Sequence, residues 1–324
     1  MKHVFTILLV FTLLTSCSPL EISLKKTPEP TIVRLPMGYI PNIQFAPFYV
    51  ALEKGYFAQN GIELIFDYSF ETDGIALVGA NQVPFSLASG EQVFLAREQK
   101  LPIRYVYTWY RDYPVSLLST DLSLMSLEEL KGKQIALPGL YGASYIGLRA
   151  LLYSAGLSES DVNLNPIGYT QIESILAGAE QNVIVYSNNE PILLDAQGVE
   201  FNQFSVAEYF NMASNGIVTN EHTIETNPEL VTRFLNAFRQ GIEDTISNPD
   251  EAYEISKQYI ENLALADEAI QKEILMASIS MWQVEPYGSI DRENWANMLE
   301  VLVKMELVKS GMTPEEAYTD QFSK

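Results

Sequence analysis

The chain predicts an α/β protein of two lobes with a cleft between them, and three observations carry that reading. Strand and helix signals alternate from Thr31 onward, a pattern of parallel βαβ units and not of a bundle or a sandwich. Residues 31–324, in a chain that is 47% hydrophobic, are too many for one small core and enough for two. The pattern also restarts near Pro114 and again near Gly216, which implies two strands crossing between lobes as a double hinge.

The elements follow in order. Residues 32–35 form a short strand, and 45–54 carry helical spacing that stops at Gly55. In 62–68 Ile62, Leu64 and Phe66 alternate with Glu63, Ile65 and Asp67, as on a strand with one face more buried. A helix over 73–80, a strand over 83–87 ending at Ala88-Ser89-Gly90, a helix over 91–99 and a strand over 103–108 complete the first pass. After Pro114 come a strand over 115–119, a short helix over 126–130 with Glu129 in the capping-box position, and a strand over 134–137. A helix over 145–155 stops at Gly156. Strands over 162–167 and 183–186 then alternate with helices over 172–177 and 191–197. A strand over 217–219 leads back, and the remainder is helical, with a helix from Asn227-Pro228 through Gly241 and further starts at Glu251, Glu268, Asp291 and Thr313. This places 31–114 and 217–324 in lobe 1 and 115–216 in lobe 2.

Ahead of the lobes, Lys2, His3 and an uncharged apolar run from Val4 to Leu14 fit a secretory signal over 1–16, too short to span a bilayer. Leu14-Thr15-Ser16-Cys17 resembles a bacterial lipobox, and Cys17 is the sole cysteine of the chain. That resemblance implies cleavage before Cys17, lipid on its thiol and amine, and a protein tethered to the outer face of the cell membrane. The alternative is an ordinary signal peptide with an incidental cysteine. Residues 17–30, with Pro19, Pro28 and Pro30, read as an extended linker from lipid to domain.

Composition excludes much. The net charge is −21, and losing residues 1–16, which carry Lys2 and no acid, makes it one unit more negative; such a surface repels nucleic acid. Without further cysteines there is no disulfide framework or Cys-based zinc site, and His222 has no neighbouring ligand motif. No Gly-x-Ser-x-Gly, Walker loop or His-Glu-x-x-His occurs. The reading therefore expects no metal, no cofactor and no catalytic triad.

The run Gly38-Tyr39-Ile40-Pro41-Asn42-Ile43-Gln44-Phe45-Ala46-Pro47-Phe48, then Glu53-Lys54-Gly55-Tyr56-Phe57, Leu127-Glu128-Glu129-Leu130-Lys131-Gly132-Lys133 and Pro228-Glu229-Leu230-Val231, resembles the substrate-binding proteins of ABC importers. The branch is the one that includes binders of thiamine-precursor pyrimidines, riboflavin, and sulfonates or nitrate. The resemblance implies a type II periplasmic-binding-protein-like fold, a monomer, and delivery of a small molecule to a permease and, through it, an ATPase. The segments 138–145, 168–171 and 186–191 are most similar to riboflavin binders, with an aminopyrimidine as the alternative ligand. A eukaryotic branch makes the pyrimidine from its own histidine with iron. Its cysteine-rich motif is missing here, which implies no enzyme.

Candidate binding residues lie where strands give way to helices, at the cleft. Asn42 can bond a ring edge and Phe45 cover a ring face; turn chemistry and core packing are the alternatives. Ser89 and Glu91 repeat that geometry, although Glu91 also suits a plain helix-start charge. Trp109, Tyr141 and Tyr145 can stack on a flat heterocycle, with packing between lobes the competing role. Tyr169, Gln171, Tyr186, Asn188, Asn189 and Glu190 gather amides, phenols and an acid after two apolar strands, a set that satisfies several donors and acceptors on one polar ligand. Arg111 is the one fixed cation near these segments, which argues against an obligate anion.

Overall fold

The computed structural model describes residues 29–283, 285–309 and 311–323. The signal and lipid-attachment readings, Cys17 included, fall outside them.

In lobe 1, β1 (Thr31–Gly38) and β2 (Ile62–Phe70) pair in parallel with Val33 opposite Leu64. β1 exposes Ile32 and Arg34 and buries Val33 and Leu35, the period of a strand with one wet face. Between them α1 (Ala46–Glu53) has Pro47 in its first turn, where no helical bond to its nitrogen is needed, and α2 (Tyr56–Gln59) follows Gly55 at φ 73°. Next come α3 (Glu71–Gly79), β3 (Phe85–Ala88), α4 (Gly90–Glu98) and β4 (Ile103–Thr108). Ser86 on β3 donates to the Pro36 carbonyl of β1 at 3.3 Å, so the small sheets abut.

Lobe 2 holds β5 (Val115–Ser119), β6 (Gln134–Leu137), α5 (Gly142–Ser154), β7 (Asn163–Pro166), α6 (Gln171–Leu176), β8 (Asn182–Tyr186), α7 (Glu190–Ala196), β9 (Asn202–Ser205) and α8 (Val206–Tyr209), with sheet order β7-β6-β8-β5-β9. The chain returns as β10 (Gly216–Asn220), inserted between β3 and β4. The rest is α9 (Glu221–Thr226), α10 (Pro228–Ser247), α11 (Pro249–Ser256), α12 (Glu268–Trp282) and α13 (Arg292–Lys304). Asn227, Asn248, Asp267 and Asp291 cap the last four through side-chain oxygens that accept first-turn amides.

Four elements depart from the sequence reading. β9 and α8 lack an apolar run long enough to announce them, α10 continues through Gly241 to Ser247, and the region after Thr313 is a single turn of 3-10 helix over Pro314–Glu316. Parallel pairing holds for β1 with β2 and for β6 with β7 and β8, but β5 is antiparallel to β8 and β9, and β10 to β3 and β4. The reason is connectivity: each strand that follows a crossing enters its lobe from the cleft, against strands that run toward it.

The crossings run side by side. The amides of Trp109 and Tyr110 both donate to the Asn215 carbonyl at 3.0 Å, and the Ser214 hydroxyl donates to the Asp112 carbonyl at 2.8 Å. One apolar cluster, with Phe48 stacked on Phe238 at 4.1 Å and Trp109 on Trp282 at 5.7 Å, fills lobe 1 under α10 and α12. A second runs from Phe94 on α4 through Tyr113 to Leu148 on α5, so a continuous core passes beside the hinge. Burying each Leu or Phe in it is worth about 1.5 to 3 kcal/mol.

Among the described residues, no helix is long and apolar enough to cross a membrane, and no group of three His, Cys, Asp or Glu is placed to hold a metal ion.

Candidate functional site

A cleft with about 860 Å³ of empty space, its open mouth included, lies between the lobes. Its wall is built at the carboxyl ends of strands and the amino ends of helices: Met37 to Tyr39 at the end of β1, Glu71 opening α3, Ala88 ending β3, Trp109 after β4, Tyr141 to Ser144 opening α5, Tyr169 and Gln171 at α6, and Tyr186, Asn189 and Glu190 at α7. Asn215, at the second crossing, closes the back.

Of the residues read from the sequence, Phe45, Trp109, Tyr141, Tyr169, Gln171, Tyr186, Asn189 and Glu190 line this cleft. Trp109 presents little of itself, since Trp282, Phe48 and Tyr110 surround it and leave it 3% exposed, yet its indole N–H is buried with no partner. Tyr141 is open at the rim, edge to face with Phe70 at 5.6 Å. Tyr169 meets Phe70 at 6.3 Å and Tyr39 at 4.7 Å; burial, with Tyr141 and Glu71 adding to it, pushes its phenol up to about 12. The Tyr186 hydroxyl accepts from the Asn215 amide at 3.2 Å, while Asn215 Oδ1 is buried without a partner.

Glu190 is a buried carboxyl at the start of α7, held by the Tyr186 amide at 2.9 Å. Burial raises its pKa above the ordinary carboxylate range, and its own amide, that of Tyr186 and the Asn189 side chain pull it back.

Five predicted residues stand outside the lining. Asn42 caps the 3-10 turn before α1, accepting from the Gln44 amide at 3.0 Å, so its side chain is spent on turn chemistry. Ser89 and Glu91 are fully buried behind the wall, with the Ser89 hydroxyl against both Glu71 and Glu91. Tyr145 lies one turn into α5 and bonds Glu159, with Arg149 over its ring. Asn188 turns away to donate to Ser278 of α12 at 2.7 Å, which ties lobe 2 to lobe 1. Arg111 pairs with Asp112 at 2.7 Å, away from the lining.

Sequence reasoning missed Tyr39, Gln44, Glu71 and Asn215. Gln44 accepts from the Tyr110 hydroxyl at 2.8 Å and sits within the motif already quoted, so its amide was the available signal. Glu71 carries no such signal, because the strand pattern ends at 68 and the helical one begins at 73, which leaves it in the connection between them.

The electrostatics of this wall are one-sided. Among the described lining residues there are two carboxyl groups, Glu71 and Glu190, and no Lys, Arg or His. Phenols, amides and two acids between aromatic rings suit an uncharged or cationic planar ligand rich in hydrogen-bonding groups, and disfavour an anion.

The chain is 38% identical to the riboflavin-binding protein RibY of Chloroflexus aurantiacus over 97% of its own length and 95% of that protein's. It is 27% identical to the formylaminopyrimidine-binding protein of Halalkalibacterium halodurans, over 98% and 97%. The solved alkanesulfonate-binding protein SsuA of Xanthomonas axonopodis pv. citri, bound to MOPS, superposes with a TM-score of 0.70 at 13% identity, over 91% of this chain and all of that one, a likeness of fold. Together with the match of the NMT1/THI5-like profile to residues 42–252, these put the periplasmic-binding-protein-like fold and its interlobe cleft in a known lineage: the chain belongs to the NMT1/THI5-like family.

Proposed function

We propose that this protein is the substrate-binding component of an ABC importer and that its ligand is riboflavin or a related flavin, captured in the interlobe cleft and handed to a permease. The observation that carries the reading is the cleft wall itself, aromatic side chains with Gln44, Gln171, Asn189, Glu190 and Asn215 among them and no basic group among the described lining residues. An isoalloxazine offers a flat surface to the rings and a donor–acceptor edge to the amides. Stacking contributes about 1 to 3 kcal/mol per ring, whereas micromolar binding needs about 8 kcal/mol; the polar set must supply the rest. The 38% identity to a riboflavin-binding relative over nearly the whole chain supports the same ligand.

The protein is read as a binder and not a catalyst: Glu190 and Glu71 are engaged by backbone amides, and the wall offers no nucleophile–base pair. Lipid attachment at Cys17 would hold it on the outer face of the membrane within reach of the permease. Loss of membrane retention in Cys17→Ser is the expected result, and retention with normal processing removes the anchor from the proposal.

The test of the ligand is direct titration of riboflavin into the purified protein. Stoichiometric quenching of flavin fluorescence is expected. No quenching and no heat with riboflavin, alongside tight binding of an aminopyrimidine, replaces the flavin with a thiamine precursor.

A further inference from the structure

Glu71 is a carboxyl group that reaches the amino ends of two other helices. It opens α3 in lobe 1, lines the cleft, and accepts from both the amide and the hydroxyl of Ser89, the hydroxyl at 2.5 Å; Ser89 is the residue before α4. Its other oxygen lies against the first residue of α5 in lobe 2. A Cβ placed on Gly142, whose φ is +69°, would come 3.3 Å from Glu71 Oε2, and the Ala143 amide faces the same carboxyl. One side chain thus touches the amino ends of two helices, of nine and thirteen residues, in different lobes. Each such end carries unpaired amides and a partial positive charge, and both together favour an anion.

The proton inventory agrees. Ser89 Oγ has one hydrogen and contacts an oxygen of Glu71 and an oxygen of Glu91. With both acids ionised, one contact would set two lone pairs against each other. A protonated Glu91 that donates to Ser89, which donates to Glu71, gives each of the two contacts a hydrogen, while Glu91 Oε2 stays buried without a partner. Among the described residues neither acid has an ion-pair partner; burial raises the pKa of both, and against it the Ser89 hydroxyl and amide and the Ala143 amide favour the charge on Glu71.

We propose that Glu71 is a built-in anion that fills the seat between α4 and α5, latches lobe 2 to lobe 1, and excludes anionic ligands, so that this cleft takes uncharged ones. The proposal deepens the flavin reading by naming the residue that sets ligand charge, and it rests on that reading only for which uncharged ligand enters.

The experiment follows thermal stability and calorimetric titration of wild type, Glu71→Ala and Glu71→Gln with methanesulfonate, against sodium chloride of equal ionic strength. Truncation to Ala leaves the Ser89 amide without its acceptor and opens space beside the start of α5, and a sulfonate supplies what is lost. Glu71→Ala is expected to bind methanesulfonate at least tenfold more tightly than wild type, with saturable stabilisation. A folded Glu71→Ala with no gain over wild type overturns the assignment. Glu71→Gln keeps the shape and removes the charge, so ligand-free small-angle scattering should show a larger radius of gyration than wild type. An unchanged radius overturns the latch even if Glu71→Ala does not fold. Riboflavin titrated into the same wild-type sample separates the two ideas: anion gain without flavin quenching removes the flavin and keeps Glu71, and quenching without anion gain does the reverse.

Discussion

Tyr39 and Tyr169 meet edge to face across the cleft, ring centroids 4.7 Å apart and planes at 84°. Tyr39 follows β1 in one lobe and Tyr169 precedes α6 in the other, so the pair is a contact between lobes made of residues that also line the ligand space. Burial, and then the nearby Glu190, Tyr169 and Glu173, hold the Tyr39 phenol protonated far above its usual range.

Removing one ring tests whether this contact supports closure. Aromatic pairs contribute about 0.5 to 1.5 kcal/mol beyond area, and a ring stacked on the ligand about 1 to 3 kcal/mol. Tyr169→Ala is therefore expected to weaken riboflavin binding by roughly 10- to 100-fold, and Tyr39→Ala by less, with thermal stability nearly unchanged in both. Fluorescence titration reads the affinity. Wild-type affinity in Tyr169→Ala would place the ring outside ligand contact.

Glu190 tests the polar half of the site. In Glu190→Gln the side-chain oxygen can still accept from the Tyr186 amide, the bond found at 2.9 Å, so the start of α7 should survive. What disappears is a charged acceptor, worth about 1.5 to 3 kcal/mol when it meets a ligand donor. Calorimetry should show a loss of roughly 10- to 100-fold in affinity with an unaltered circular dichroism spectrum.

Much of this arrangement was legible in the sequence, and the failures have physical causes. Apolar strands ending in Tyr186 or before Tyr169 announced themselves by composition, and so did the amide and acid cluster after β8. Asn188 and Asn189 are neighbours in that cluster yet face opposite ways, one to Ser278 and one to the cleft, because a turn sends successive side chains in directions that no period fixes. Glu71 looked like any acid near a helix start; its role depends on the amino end of α5, about seventy residues later in the chain. The antiparallel β5 and β10 were hidden for a similar reason, since strand direction is set by which side of the lobe the chain enters, and an apolar run carries no arrow.

The close approach of α10 to α1 gives a stability prediction independent of ligand. A Cβ on Gly241 would stand 2.1 Å from the Pro47 carbonyl oxygen and 2.8 Å from Ala51 Cβ, a backbone atom and a packed helix that cannot swing aside. Gly241→Ala gains up to about 1 kcal/mol of helix propensity, but overpacking costs typically about 1 to 3 kcal/mol and more where backbone must shift. The melting temperature is expected to fall, and a rise would mean that α10 moves freely on α1.

The buried acid pair gives a pH dependence whose sign follows from the direction of the shifts. Burial first, and then the charge of Glu71, push Glu91 up to about 7 from an ordinary 4.5, while Ser89 and Gln92 pull it down; Tyr105, Tyr113, Tyr169 and Tyr186 are the other titratable groups near the pair, all with phenol pKa values raised by burial. An acid whose folded pKa is raised favours folding in its protonated form. Its contribution is complete below the unfolded pKa and is lost as pH rises toward 7, by at most about 3 kcal/mol for a shift of this size. Glu91→Gln keeps a neutral group that can bond Ser89 at every pH. Urea unfolding at pH 5 and pH 8 should therefore show the variant gaining on wild type as pH increases, and a stability difference that stays constant between the two would mean that Glu91 does not titrate in this range.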